Sequence, residues 1–423
     1  MLKPQVLVVG AGLAGLATAV ELARAGIPVR VVDQAPTLGG AIHRQPLPGI
    51  RSMSSSAQSK RWSTVIANVE TQSSAITFHF NTRFGGIDHS GAALLTGAHA
   101  ALIRPRAIVL ALGATEAVQP RPGWTLPGVM TAGAIQTRIK TIAEPPAERV
   151  ILAGSGPLLL AVGAELCRLG RPPIAIIEAS RPLSHPSAFR LPLNYLVEAA
   201  GYLATLLQAR VPLIFGAHLT QISKTGEGLV AEVETNKGMR HYRADIIGLH
   251  DGIRPNDTGI TESNVLPILR AGDCREALGA RGAWADGVFG GQTLAASLLG
   301  LVAPLPSREI KSERAAQNLL AKIYAHKGAT RLSDLPVDTI ICRCENRSLG
   351  DLLSLGTAPT DRELRLDGRF GMGSCQGRFC AEWVRKLKAP LEPAPRIGAA
   401  RWPTHPIAID DFLAAFEDSE SKT

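Results

Sequence analysis

Four of the six cysteines in this 423-residue chain crowd into its last quarter. They read Cys342-Arg-Cys344, then Gly371-Met-Gly373-Ser-Cys375-Gln-Gly377-Arg-Phe-Cys380. Clustering of this kind, outside a disulfide framework, points to a metal or redox site. Four thiolates satisfy either a tetrahedral zinc or a [2Fe–2S] cluster. Structural zinc favours wider spacing at both ends, so the tight C-x-C leans toward iron–sulfur. The glycines lean further that way, because they can bring backbone N–H groups to cluster sulfurs and tune a potential. Cys167 and Cys274 read as small core residues, Cys274 lying next to Asp273.

A second chemistry is written near the N-terminus. Gly10-Ala-Gly12-Leu-Ala-Gly15 follows an apolar run at residues 5–9 and opens a helical run at about 13–25. Gly10 permits a tight turn, Gly12 lets a pyrophosphate approach the backbone, and Gly15 allows close helix–strand packing. The phosphates then meet the free N–H groups of a helix N-terminus. Asp33 ends the next apolar run, 18 positions after Gly15, where it can accept a ribose hydroxyl. The pattern returns at an offset of 144 as Gly154-Ser-Gly156, with Glu178 where the ribose-binding acid belongs. Leu159, however, stands where the third small residue belongs, and a leucine there forces helix and strand apart. Three readings stay open for this second site: NAD(H), an adenine nucleotide, or a retained scaffold without ligand.

Those residues need elements to position them. Strand–turn–helix–strand units at residues 5–33 and 150–178 give an α/β fold class, with two Rossmann-like dinucleotide-binding domains and a small C-terminal iron–sulfur module. Residues 107–112 read as a buried strand, and 265–271 as another, followed by Gly272-Asp273 and a helix from about 289 to 299. Residues 52–59 read as a serine-rich loop, and Pro120, Pro122 and Pro127 as a crossing between domains. The expected division is a discontinuous first domain (1–119 and 245–303), a second domain (120–244), a linker and helix (304–337), the cysteine module (338–387) and an extended proline-rich tail (388–423).

Composition narrows the classes. Hydrophobic residues at 45% and charged residues at 19% exclude wholesale disorder. Aromatics at only 4% beside 42 glycines suit a nucleotide fold and disfavour a nucleic-acid partner that stacks bases. No apolar stretch reaches the roughly 18 residues of a membrane span. A strand at the very start leaves no room for a secretory leader, so a cytoplasmic location is expected. The net charge of +9 reads as an anionic partner or as arginines on solvated faces; the lack of a dense basic run favours the second.

Resemblance to known families adds to this reading. Gly39-Gly40, shortly after Asp33, resembles the Gly-Gly extension of flavoproteins, and Ala271-Gly272-Asp273 resembles the second flavin motif, whose aspartate holds the ribityl chain. This implies FAD on Gly10, Gly12, Gly15, Asp33, Gly40 and Asp273, with the following helix aimed at the flavin ring. His43 and Arg44 are candidates for phosphate or substrate, against a solvated loop. Residues 1–300 resemble the pyridine nucleotide–disulfide reductase superfamily, with one departure. No cysteine precedes Cys167, so the thiol pair that works beside the flavin is missing and disulfide reduction is not expected.

Residues 338–387 resemble the bacterioferritin-associated-ferredoxin type of [2Fe–2S] domain, which implies Cys342, Cys344, Cys375 and Cys380 as ligands. Nearly the whole chain resembles the A (α) subunits of bacterial opine oxidases and the matching subunits of dye-linked proline or hydroxyproline dehydrogenases and hydrogen cyanide synthase. That implies a complex with a β subunit of amino-acid-oxidase type that oxidises a C–N bond, sometimes a small γ subunit, and FMN between α and β. No catalytic acid or base stands out in this chain. The alternative is an NAD(P)H-dependent reductase feeding electrons outward through the cluster.

Overall fold

Four consecutive buried valine and leucine residues, Val6–Val9, make the central strand of a five-stranded parallel sheet. Parallel strands are covered on both faces, which is why this one is apolar throughout rather than alternating. The computed structural model describes residues 5–52, 56–257, 265–326, 334–388 and 402–420. The strand order is Ile268–Arg270, Ala107–Leu110, Val6–Val9, Val29–Val32, Ile76–His79, with every neighbour parallel. Helices Leu13–Arg24 and Gly279–Leu299 cross against each other at very short range. A Cβ on Gly287 would stand 2.3 Å from Ala14 O, so only glycine lets the two backbones approach this closely.

The second unit repeats the plan. Its parallel order is Leu213–Phe215, Ala175–Glu178, Val150–Gly154, Ile246–His250, Val129–Thr131. Each unit also carries a three-stranded antiparallel sheet, Thr82–Ile87 with Ala93–Gly97 and Ala101–Ile103 in the first, His218–Thr225 with Gly228–Thr235 and Gly238–Ala244 in the second. The units are joined by a two-stranded antiparallel ribbon, Ala114–Glu116 against Ile253–Pro255.

Several elements differ from the expected ones. Ile246–His250 lies beside Val150–Gly154 rather than in the first domain, so the chain crosses back after residue 250 instead of at 245. Without that apolar strand the centre of the second sheet would be left as an open edge. The helix expected from about 289 begins ten residues earlier, at Gly279, and the strand before it is only Ile268–Arg270. Five glycines between 279 and 291 lower helix propensity, and packing on Leu13–Arg24 overrides it. The serine-rich stretch enters a helix, Ser56–Glu70, rather than staying a loop.

The linker contains the helix Arg308–Ile323, capped by Ser307. After it, the hairpin Ile340–Cys342 with Arg347–Ser348 and the short helices Leu349–Ser354, Asp361–Leu366 and Ala381–Leu387 close around fully buried Phe370, Leu352, Leu364 and Val384. Reciprocal capping boxes, Ser348 with Asp351 and Thr360 with Glu363, fix two of those helix starts. The tail is not simply extended: Ile409–Glu420 is helical and packs on the first unit's antiparallel sheet, with Ala415 fully buried. Pro390, Pro393 and Pro395 lie outside the described residues. Among the described residues no helix is long and apolar enough to cross a membrane.

Candidate functional site

Gly10 leaves the central strand at φ +108°, a conformation that favours glycine, and a Cβ on Gly15 would fall 1.9 Å from Gly10 O. The loop therefore hugs the start of Leu13–Arg24, which has no acidic residue in its first turn and no side-chain cap. Gly40 lies over it, since a Cβ there would stand 2.9 Å from Gly12 Cα, and Gly39 N donates to Ala11 O at 2.9 Å. Asp33 accepts from Ala11 N at 2.6 Å through Oδ2 and from Ala35 N at 2.8 Å through Oδ1. Two donors fill about half of the four acceptor positions of a carboxylate, leaving room for a ribose diol. The Gly12 N–H takes no partner among the described residues, as a pyrophosphate seat requires.

The Gly272-Asp273 turn stands on the same helix, a Cβ on Gly272 meeting that of Ala14 at 2.5 Å. Asp273 Oδ1 accepts from Leu278 N at 2.7 Å and Gly279 N at 3.0 Å, which explains why the long helix starts there. Burial raises the Asp273 pKa above the usual carboxylate value. Its second oxygen takes no partner among the described residues. These residues fit FAD. Asp33→Ala is expected to weaken FAD binding by about 1–3 kcal/mol, measured by reconstituting apoprotein with FAD. Glu178→Ala should leave FAD affinity unchanged; an equal loss from both variants would sink the assignment.

His43 stacks on Trp62 with ring centroids 5.1 Å apart. Burial, then Lys140 and Arg61, pull its pKa down to about 4, so it is neutral at pH 7. Lys140 donates to Ala41 O at 3.3 Å and Ile42 O at 3.0 Å, and burial, with nearby Arg44, lowers its pKa. The loop carrying Arg44 is thus stitched to the helix Ala132–Ile142 of the second unit, at the junction of the two.

At the second loop, Gly154 and Gly156 both take φ +139°, and Leu159 is fully buried. Glu178 is only 3% exposed. Its Oε2 accepts from Gly156 N at 3.0 Å; Oε1 lies 2.7 Å from Ser155 Oγ, 2.9 Å from Ser180 N and 2.8 Å from Ser180 Oγ. Beside it is a small open cleft lined by Gly154, Arg121, His218, Asp251 and His326. Two polar residues here have no sequence signature. His250 Nδ1 lies 2.9 Å from Glu116 Oε1, and Glu116 Oε2 accepts from Gly133 N at 2.9 Å. Sequence reading missed both, because they are 134 positions apart and meet only at the ribbon.

The four clustered thiols lie close enough to perturb one another, most strongly Cys342 with Cys380 and Cys344 with Cys375, and also Cys342 with Cys344 and Cys375 with Cys380. The first pair is buried, each residue 1% exposed, whereas Cys344 is exposed and Cys375 half-buried. The backbone N–H groups of Glu345 and Gly371 donate to Cys342, and that of Cys375 to Cys344. Contact with Cys380 pulls the Cys342 thiol down to about 6. A Cβ on Gly373 would stand 2.3 Å from Cys344 Cβ, so this turn must be glycine. Among the described residues no three or more His, Cys, Asp or Glu side chains form a site ready to hold a single metal ion.

The module docks on the ribbon between the units and on the segment that follows it into the second unit. Trp124 Nε1 donates to Ile340 O at 2.7 Å, Trp383 Nε1 donates to Val118 O at 3.0 Å, and Arg254 pairs with Glu382 at 2.5 Å. Cys167 is half-buried and Cys274 buried, where loss of solvation pushes its thiol up to about 11.

The family described as pyridine nucleotide-disulphide oxidoreductase matches residues 4–274. The A subunit of opine oxidase from Agrobacterium tumefaciens (strain Ach5) is 29% identical, over 91% of this chain and 86% of its own length. The HcnB subunit of hydrogen cyanide synthase from Pseudomonas aeruginosa is 28% identical, over 96% and 97%. In structure, the chain is similar to L-proline dehydrogenase from P. horikoshii, with a TM-score of 0.61 at 15% identity over 96% of this chain and 78% of that one. It is also similar to T. acidophilum thioredoxin reductase, with a TM-score of 0.51 at 17% identity over 70% and 99%. At these identities the two structural likenesses speak to the fold alone.

Proposed function

The chain belongs to the pyridine nucleotide-disulphide oxidoreductase family, and from that premise we propose that it is the FAD- and [2Fe–2S]-carrying subunit of a heteromeric amine dehydrogenase. The complex would oxidise opines or related secondary-amine amino acids at a C–N bond and relay the electrons to an acceptor. Bound FAD supplies two-electron chemistry and the cluster one-electron chemistry, which makes the chain a converter between the two. Gly10, Gly12, Gly15, Gly40, Asp33 and Asp273 would hold FAD. Cys342, Cys344, Cys375 and Cys380 would hold the cluster.

The observation that carries this reading is the docking of the four-thiol module on the ribbon that leaves the flavin-type unit at Gly113. The names of the curated relatives support a partner subunit, and the same proposal places the C–N chemistry there, with FMN between the subunits. The chain's own part is to bind, hold and insulate. The test is a screen of opines, proline and hydroxyproline with an artificial electron acceptor, using the complex purified with its native partners. Turnover on one of them is the expected result, and none on any would remove the amine assignment. NADH and NADPH are expected to bleach the flavin more slowly than about once per second; turnover at ordinary enzyme rates, roughly 1–1000 per second, would replace this reading with the reductase.

A further inference from the structure

The two glycine loops share a plan but differ in what satisfies them. In the first, Asp33 accepts two backbone N–H groups and stays half-buried, and the Gly12 N–H is left for a phosphate. In the second, the matching N–H, that of Gly156, is spent on Glu178. The two alanines around Asp33, Ala11 and Ala35, are replaced by Ser155 and Ser180, whose hydroxyls both reach Glu178 Oε1. With Ser180 N added, three groups crowd Oε1 and the Gly156 N–H takes Oε2 of one buried carboxylate. The N–H that a phosphate would use, and most of the acceptor positions that a ribose diol would use, are thus already taken.

Ser155 has a further neighbour: its Oγ lies 2.9 Å from the carbonyl oxygen of Tyr324, the residue that ends the helix Arg308–Ile323. Burial, together with the nearby Glu178, holds the Tyr324 phenol in its protonated form. Two residues on, His326 lines the cleft beside Gly154, with its ring 5.5 Å from that of His218. The end of the connecting helix therefore sits on the second loop at the side where the acid and the serine face.

We propose that the second glycine loop binds no adenosine-containing nucleotide and is instead the seat of this chain's own connecting helix, Ser155 holding the Tyr324 carbonyl beside Glu178. A recognition surface for nucleotide becomes an intramolecular clamp that fixes where the chain departs toward the cysteine module. This stands independently of the amine assignment above.

Two measurements on the full-length, FAD-loaded protein test it. In equilibrium dialysis, NADH, NADPH and ATP should each show no saturable binding below about 1 mM. In hydrogen exchange, Ser155→Ala should speed the amides of residues 320–326 about fivefold while leaving the first glycine unit unchanged, and Ser155→Thr, which keeps the hydroxyl, should stay near wild type. Micromolar binding of any of the three nucleotides to wild-type protein would overturn the proposal. So would unchanged exchange at 320–326 in a folded Ser155→Ala protein. Should that variant fail to fold, the nucleotide titration of wild-type protein decides alone.

Discussion

Replacing Cys344 by serine is expected to strip the iron while leaving FAD in place. Wild-type protein purified without oxygen should be brown and carry about two irons and two sulfides per chain, and the variant well under one iron. Cys344 is the informative choice because it is exposed, so the substitution removes a proposed ligand without opening a cavity. Cys342 and Cys380 belong to the core around Phe370, where a serine would place a hydroxyl among apolar side chains and confuse lost metal with lost folding. FAD should stay because its unit closes on its own sheet and helices, far along the chain from the module. Iron, acid-labile sulfide and flavin, measured on one preparation, give the answer. Stoichiometric zinc in anaerobically purified wild-type protein would falsify the cluster assignment outright.

The second large effect is dependence on a partner. The isolated chain should bind FAD and iron yet show negligible opine, proline or hydroxyproline dehydrogenase activity, and adding the partner subunit should raise turnover at least about 100-fold, into the ordinary range of roughly 1–1000 per second. Two features motivate this. Burial against Trp62 leaves His43 a weak base, with its pKa lowered to about 4, and Asp273 spends one carboxylate oxygen on the start of a helix. Exposed Cys344, beside half-buried Cys375, puts one side of the proposed cluster at the surface, where another polypeptide can take electrons. A stable complex should bury more than about 1,000 Å² in total. Equal rates of amine oxidation with and without the partner would refute the heteromeric reading, even with both cofactors confirmed.

Much of this molecule is legible in its sequence because the features involved are local. A glycine turn between an apolar strand and a helix, an acid at the end of the next strand, and cysteines in two close pairs each state their chemistry over a short span. Gly10, Gly12, Gly15 and Asp33 accordingly stand together in the fold, and the four clustered cysteines meet in one module. The duplication is equally plain, since Gly154, Gly156 and Glu178 repeat the first pattern at nearly constant offset. The long helix from Gly279 was harder to see, because its glycines speak against a helix and only the close approach of Leu13–Arg24 makes them necessary.

What the tertiary structure alone decided is how each polar group is satisfied. Glu178 looks like a ribose-binding acid by position, yet it is one methylene longer than Asp33 and reaches the Gly156 N–H that a phosphate would otherwise use. The serines at 155 and 180 were visible as residue types, but that both hydroxyls turn toward one carboxylate, and that Tyr324 arrives from 169 positions away, is set by the packing of the connecting helix. The same holds for Glu116 with His250 and for the tryptophans that pin the module to the ribbon. A carboxylate's partners depend on which chain segments fold against it, and hydrogen bonds between distant segments leave no periodicity along the sequence that forms them.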